Sequence, residues 1–359
     1  MGARYQEISD SIYKLIEDGT YELGQKLPSE TELASRFQVT RQTIRHALAV
    51  LDEQGILRKR QGSGTYVEGI RSQRDERRTS IAFIITYVDG YIFPKIIQGI
   101  EKKLSEQGYS VQIAFTNNKF EREREILEDF LGREEIAGVI AEPTKSSLPN
   151  LNMSLYEAFG KAHVPVLFIN SYYEELQLPH ISIQDEMAGY KAADYLIYQG
   201  HKKIGGIFKL DDGQGRLRYR GFTRALREHN LPFDDSQILW LDTQDIKNFH
   251  DSFEKMKKRF QKITGIVCYN DEVAFSLEEE LIRDGFKVPE DMSLVSVDNS
   301  ELATMCEVSL TSINHPKEVL GTKAAEQMMK LIEDNRYDAT YEFVPELIVR
   351  DSVRRIDTK

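Results

Sequence analysis

Thr40, Arg41, Gln42, Thr43 and Arg45 form a short run of hydrogen-bonding groups able to read base edges. Arg donates bidentately to guanine, Gln pairs with adenine, and Thr reaches a phosphate or a thymine methyl. Upstream, Ser29 and Glu30 open a segment whose free backbone amides suit a phosphate or a base amine nearby. Downstream, Arg58, Lys59 and Arg60 supply phosphate contacts beside Gln61-Gly62-Ser63-Gly64, whose glycines let the backbone approach a groove edge. A second set, spread over the rest of the chain, suits a polyol. Tyr87, Tyr91, Phe93, Glu142, Asn170, Tyr172, Tyr173, Arg218, Asn270, Asp271, Asp298 and Asn299 all sit at or just after short apolar runs or at a helix start. Planar Arg, Asn and Asp groups hold vicinal hydroxyls while aromatic rings cover the C–H face of a sugar. Taken singly, an Asn or Asp just past a strand is more often a turn or helix cap than a ligand contact.

The elements that must position the first set are three helices and a hairpin. Ile8, Ile12, Leu15 and Ile16 recur at helical spacing and stop before Gly19. Ser29 with Glu32 three residues later is a capping box for a second helix that turns Leu33, Ala34 and Phe37 inward. Thr40 caps a third, with Ile44, Ala47, Leu48 and Leu51 on its apolar side and Gly55 at its end. Two strand-like runs, 56–60 and 65–67, flank the glycine tip. Residues 69–79 carry charge without apolar periodicity and are expected to be a linker. From Ser80, apolar runs at 81–85, 111–115, 138–141, 164–169, 204–208, 265–269 and 293–297 alternate with helical patterns at 94–107, 122–131, 187–199, 218–229 and 272–284. That alternation implies parallel βαβ units with ligands at the carboxyl ends of the strands. Boundaries are therefore placed at 1–68, 69–79 and 80–359.

Charge agrees with this division. The chain carries −11 overall, yet between Arg36 and Arg60 six basic residues face only Asp52 and Glu53, about +4 locally. Phosphate binding needs local positive charge, whatever the whole-chain sum. Two cysteines, Cys268 and Cys306, argue against a disulfide framework and for a reducing, cytoplasmic location. No signal peptide or membrane span is expected, so a secreted binding protein is disfavoured. A nucleophile elbow, a Walker loop, His-Glu-x-x-His and paired-Cys metal spacing are all missing, and Gly213-Gln214-Gly215 lacks a third glycine at nucleotide-loop spacing. No catalytic residue, metal or cofactor is expected; His201, in Gly200-His201-Lys202-Lys203, is read as shaping a helix-to-strand turn.

Leu27–Val67 (LPSETELASRFQVTRQTIRHALAVLDEQGILRKRQGSGTYV) resembles the DNA-binding domain of the GntR family, matched at Pro28-Ser29-Glu30, Val39-Thr40-Arg41 and Gly64-Thr65. The resemblance implies DNA contact at Arg41, Thr43, Arg45, Gln61 and Gly62; the full candidate set is Arg4, Ser29, Glu30, Thr40, Arg41, Gln42, Thr43, Arg45, Gln61, Gly62 and Ser63. Asp185–Gly189, Gly200–Ile204, Arg218–Phe222, Cys268–Ala274 and Val295–Asn299 resemble the LacI-type effector domain, itself similar to periplasmic sugar-binding proteins. That implies an effector site at Thr86, Asn170, Arg218, Asn270, Asp298 and His315, to which Tyr87, Tyr91, Phe93, Glu142, Tyr172 and Lys209 are added. The fold class expected is α/β, an N-terminal winged helix-turn-helix plus a two-lobed periplasmic-binding-protein-like α/β effector domain. With 86–101, 141–146, 169–179 and 268–272, the pairing resembles the arabinose-repressor family. It implies double-stranded operator DNA and a homodimer, with L-arabinose as the releasing effector; activation, or another pentose or a purine as ligand, is the alternative. LacI-type repressors carry an apolar hinge helix before the sensor. Residues 69–79 show no such wedge, so DNA bending by a hinge helix is not expected.

Overall fold

The computed structural model describes residues 3–53, 55–60, 63–68, 78–87 and 91–356, and the chain divides into two compact units, Met1–Arg78 and Thr79–Lys359. In the first, α1 (Ala3–Glu17), α2 (Glu30–Arg36) and α3 (Arg41–Glu53) bury Ile8, Ile12, Leu33, Ile44, Ala47 and Leu51 against one another. The capping box at Ser29 is formed: its hydroxyl accepts from the Glu32 amide and the Glu32 carboxylate accepts from the Ser29 amide. The Thr43 amide donates to Thr40 Oγ1 at 3.3 Å, opening α3 as expected. β1 (Leu57–Arg60) and β2 (Gly64–Val67) pair antiparallel, Leu57 opposite Val67. Gly64 sits at φ +126°, backbone that side chains rarely adopt and that favours glycine. Gln61 and Gly62, and the linker apart from Arg78 and Thr79, lie outside the described residues.

The second unit holds two six-stranded sheets. β3 (Ser80–Ile85), β4 (Ser110–Phe115), β5 (Ile136–Ala141), β6 (Val166–Ile169), β7 (His180–Ile183) and a late strand, β13 (Tyr341–Phe343), form an all-parallel sheet in the order β13-β7-β6-β5-β3-β4. The second lobe orders β14 (Glu346–Ile348), β12 (Thr311–Asn314), β11 (Ser293–Asp298), β10 (Gly265–Cys268), β8 (Ile204–Lys209) and β9 (Ile238–Leu241). Only β12–β14 runs antiparallel there. The chain passes between lobes three times: after β7, after β12 and between β13 and β14. β3, β5 and β6 are buried along their whole length, as expected of strands covered by helices on both faces.

The covering helices include α4 (Phe93–Ser105), α5 (Phe120–Leu131), α6 (Met153–Lys161), α7 (Asp185–Tyr198), α8 (Gly213–Glu228), α9 (Thr243–Lys247), α10 (Phe249–Met256), α11 (Asp271–Arg283), α12 (Leu302–Met305) and α13 (Lys317–Glu333). α7 and α8 cross at contact distance through reciprocal glycines: a Cβ on Gly189 would overlap the Arg218 carbonyl oxygen, and one on Gly221 the Glu186 carbonyl oxygen. One helix start is corrected. Arg218 does not open its helix; α8 begins at Gly213, where Asp212 accepts from the Gln214 amide, so Arg218 lies in the second turn. The side-chain cap outweighs the weak helix propensity of Gly213 and Gly215. The strands β7, β9, β12, β13 and β14 are additions; each is only three or four residues long, and all but β9 mix polar with apolar residues. His201 is fully buried as a turn residue: Nδ1 pairs with Thr264 Oγ1 (2.9 Å) and Nε2 with the Arg354 carbonyl (3.2 Å).

Candidate functional site

On the first unit, the N-terminal turn of α3 presents Arg41, Gln42 and Arg45 to solvent, and Arg4 is exposed on α1. Arg45 donates through Nη2 to Glu30 Oε2 (3.0 Å) and is thereby held across the gap between α2 and α3. The same bond keeps the Glu30 carboxyl below its ordinary range. Glu30 is thus engaged as the partner that orients the Arg45 guanidinium. Ser29 and Thr40 act as helix caps, Thr43 Oγ1 lies 2.9 Å from Thr40 Oγ1, and Ser63 Oγ lies 2.7 Å from Tyr66 Oη.

In the second unit the polar groups converge between the lobes from strand ends. Thr86 follows β3, Glu142 follows β5 and Asn170 follows β6. The Thr86 amide and hydroxyl both donate to Glu142 Oε2 (3.1 and 2.5 Å), and Asn170 Nδ2 donates to Glu142 Oε1 (3.1 Å). His315, just after β12 in the other lobe, reaches Asn170 Oδ1 through Nε2 at 3.2 Å. Beside this chain Tyr91 spans the lobes, donating to Asp298 Oδ2 (2.6 Å) and accepting from the Asp271 amide (3.2 Å). Asp298 ends β11 at φ +107°, backbone that a non-glycine residue adopts at a cost and that marks functional sites.

Arg218 is 2 % exposed and donates to Asp185 Oδ1 (2.7 Å) and to the Tyr269 carbonyl (2.6 Å), with Asp298 at 3.8 Å and the Tyr269 ring 4.9 Å away. Burial works against its charge, and Asp185 and Asp298 more than reverse that, so the guanidinium stays protonated. Burial pushes the Asp185 carboxyl up to about 7 against the pull of Arg218. Asp271 rises to about 6 for the same first reason, although Ser296, Ser312 and Ser300 all donate to it. His315 falls to about 4 because burial penalises the imidazolium. Lys209 lies 3.6 Å from Asp212 and 3.9 Å from Asp211, whose charges hold it protonated despite burial. Both cations are therefore already matched by carboxylates, which suits a neutral polyol better than an anion.

Not every expected residue joins this cluster. Phe93 packs into the core of its lobe, Tyr172 stacks on His180 (3.9 Å between ring centroids), and Tyr173 is buried against Glu123. Asn270 spends its side-chain oxygen capping α11 through the Val273 amide. Tyr87 donates to the Asn117 carbonyl, with Lys247 over its ring. The structure adds Asp185, Asp212 and Tyr269, whose Oη donates to Asp212 at 2.5 Å. Asp185 and Tyr269 lie in the segments 185–189 and 268–274 that carry the LacI-type resemblance, whereas Asp212, which caps α8, lies outside them. Among the described residues no group of three or more His, Cys, Asp or Glu is arranged to hold a metal ion, and no helix is long and apolar enough to cross a membrane.

Residues 4–67 match the family of bacterial regulatory proteins of the gntR type, and residues 193–353 match a periplasmic binding protein-like domain. Over 98 % of both chains the protein is 39 % identical to the arabinose metabolism transcriptional repressor of Geobacillus stearothermophilus. It is 37 % identical to that of Halalkalibacterium halodurans, over 98 % of this chain and 97 % of the other. In fold, 77 % of the chain superposes on 99 % of the crystal structure of the transcription regulator CcpA of Lactococcus lactis, with a TM-score of 0.67 at 25 % identity.

Proposed function

The chain belongs to the family of arabinose metabolism transcriptional repressors, and from that premise we propose that L-arabinose binding between the lobes releases it from its operator. It is a DNA-binding transcriptional repressor, not an enzyme, acting through operator DNA and a small-molecule effector. The observation that carries the effector reading is a polar network to which both lobes contribute: Thr86, Glu142 and Asn170 from one, Arg218, Asp298 and His315 from the other, joined by His315–Asn170 and Tyr91–Asp298. A ligand held by groups on both lobes binds most tightly when they are closed, so it shifts the population toward closure. A coupling of about 1–3 kcal/mol to the operator site is enough for release.

The working form is a cytoplasmic homodimer without a cofactor, its two reading domains on half-sites about ten base pairs, or a multiple, apart. Duplexes selected by the full chain from a random pool, followed by anisotropy titration, test the scheme. L-arabinose is expected to raise the operator dissociation constant and, in parallel, the melting temperature. Unchanged operator binding at saturating L-arabinose refutes release. Tightened binding identifies an activator-type response, and a panel of other pentoses and purines identifies a different ligand.

A further inference from the structure

His315 Nδ1 is a buried polar atom with no hydrogen-bond partner among the described residues, in a side chain 2 % exposed. Buried polar groups are nearly always paired, so an unpaired one calls for a partner supplied from outside. The nearest ammonium does not supply it: Lys317 Nζ donates to the carbonyls of Asp298, Asn299 and His315 itself, which uses its three N–H groups. Arg218 is committed to Asp185 and the Tyr269 carbonyl.

Whether Nδ1 gives or takes a proton is decided by the chain behind it. A backbone N–H only donates, so the Thr86 amide fixes Glu142 Oε2 as an acceptor. Burial raises the Glu142 carboxyl from its ordinary value and the donors at Thr86 and Asn170 pull it back; in its ionised form it accepts at both oxygens, so Asn170 presents its NH2 to Oε1. That turns Asn170 Oδ1 toward His315, where it accepts from Nε2–H. A neutral imidazole has one N–H; with it on Nε2, Nδ1 carries the lone pair.

We propose that His315 is the specificity-determining acceptor for one hydroxyl of the effector, held in that tautomer by the one-way chain Thr86–Glu142–Asn170. The proposal rests on the effector reading above and deepens it. Glu142 and Asn170 act in it as positioning residues, setting the sense of a bond they do not make. The site selects a hydroxyl that donates, and rejects a group of equal size that only accepts.

Fluorine in place of a hydroxyl keeps size and polarity but cannot donate. Calorimetric titration of the full chain with monofluorinated L-arabinoses is expected to show one ring position where fluorine weakens binding on the order of 10²-fold. Glu142→Gln supplies the reversal: its amide oxygen serves the Thr86 N–H, its NH2 turns Asn170 over, and His315 moves its proton to Nδ1. The parent sugar then weakens and the fluorine penalty at that position falls at least tenfold. Long-range 1H–15N spectra of imidazole-labelled protein report the tautomer without any ligand. A pyridine-type nitrogen at Nδ1 is expected, moving to Nε2 in Glu142→Gln. A protonated Nδ1 in the unsubstituted chain, or a fluorine penalty that Glu142→Gln leaves unmoved, overturns the proposal. If L-arabinose itself fails to bind, the effector reading fails separately, while the nitrogen spectra still decide the tautomer.

Discussion

Removing Arg218 exposes how much its charge holds together. In Arg218→Met a side chain of similar length keeps the packing on Tyr269 but abandons Asp185, the Tyr269 carbonyl and Asp298. Breaking one partner from a fully buried ion pair costs about 3–5 kcal/mol; without Arg218 the Asp185 carboxyl, already pushed up to about 7 by burial, rises further and takes up a proton, leaving a buried acid without its donors. At 2–4 °C per kcal/mol for a domain of this class, the melting temperature of the effector unit should fall by roughly 10 °C. Trp240, the only tryptophan, sits on β9 with its ring 4.9 Å from Tyr219, so its fluorescence reports the unfolding of that lobe within the full chain. Asp185→Ala/Arg218→Met removes the unpaired buried acid and should recover about half of the loss, while the response to L-arabinose stays absent. A single variant melting within about 2 °C of the parent refutes the assignment, since removing one partner of a buried pair leaves the other unsatisfied. So does a double variant no more stable than the single, which would show that Asp185 is not the group left unpaired.

Other predictions follow from single contacts. Glu30→Ala should weaken operator binding by about 1 kcal/mol despite removing negative charge, because Arg45 loses the partner that orients it; tighter binding in an anisotropy titration at fixed salt contradicts this. His315 has a folded pKa of about 4, below its ordinary 6.5, so its contribution is complete above pH 6.5 and lost as pH falls through 4. The shift corresponds to about 3 kcal/mol. His315→Gln should therefore melt with a flatter pH dependence between 4 and 6.5 than the parent, and equal slopes in parallel thermal scans count against it. Gly189→Ala places a methyl against the Arg218 carbonyl and should cost roughly 1–3 kcal/mol in the Trp240 transition. An undiminished transition there would mean that the α7–α8 crossing relaxes freely.

The sequence alone carried the first unit almost to completion. Capping box, Thr40 cap, apolar spacing and Gly55 are local signals, and each element they mark closes on itself within a few residues. Alternating apolar runs likewise revealed the parallel sheets, and strand ends pointed to Glu142, Asn170 and Asp298, with Thr86 implied by the family resemblance, before any of them could be seen to meet. What periodicity could not carry was pairing across long separations. Phe93 and Asn270 have the chemistry of a sugar site, yet one packs into its lobe and the other caps a helix, because local geometry claimed them first. Asp185 and Tyr269 join the site through α7, α8 and the strand order, which bring residues 33 and 51 positions from Arg218 within hydrogen-bond reach. The Glu30–Arg45 pair depends in the same way on how α2 meets α3. The tautomer of His315 is the extreme case. It is set by a backbone amide at Thr86, an asymmetry that no list of residue types contains and that only the folded chain of bonds imposes.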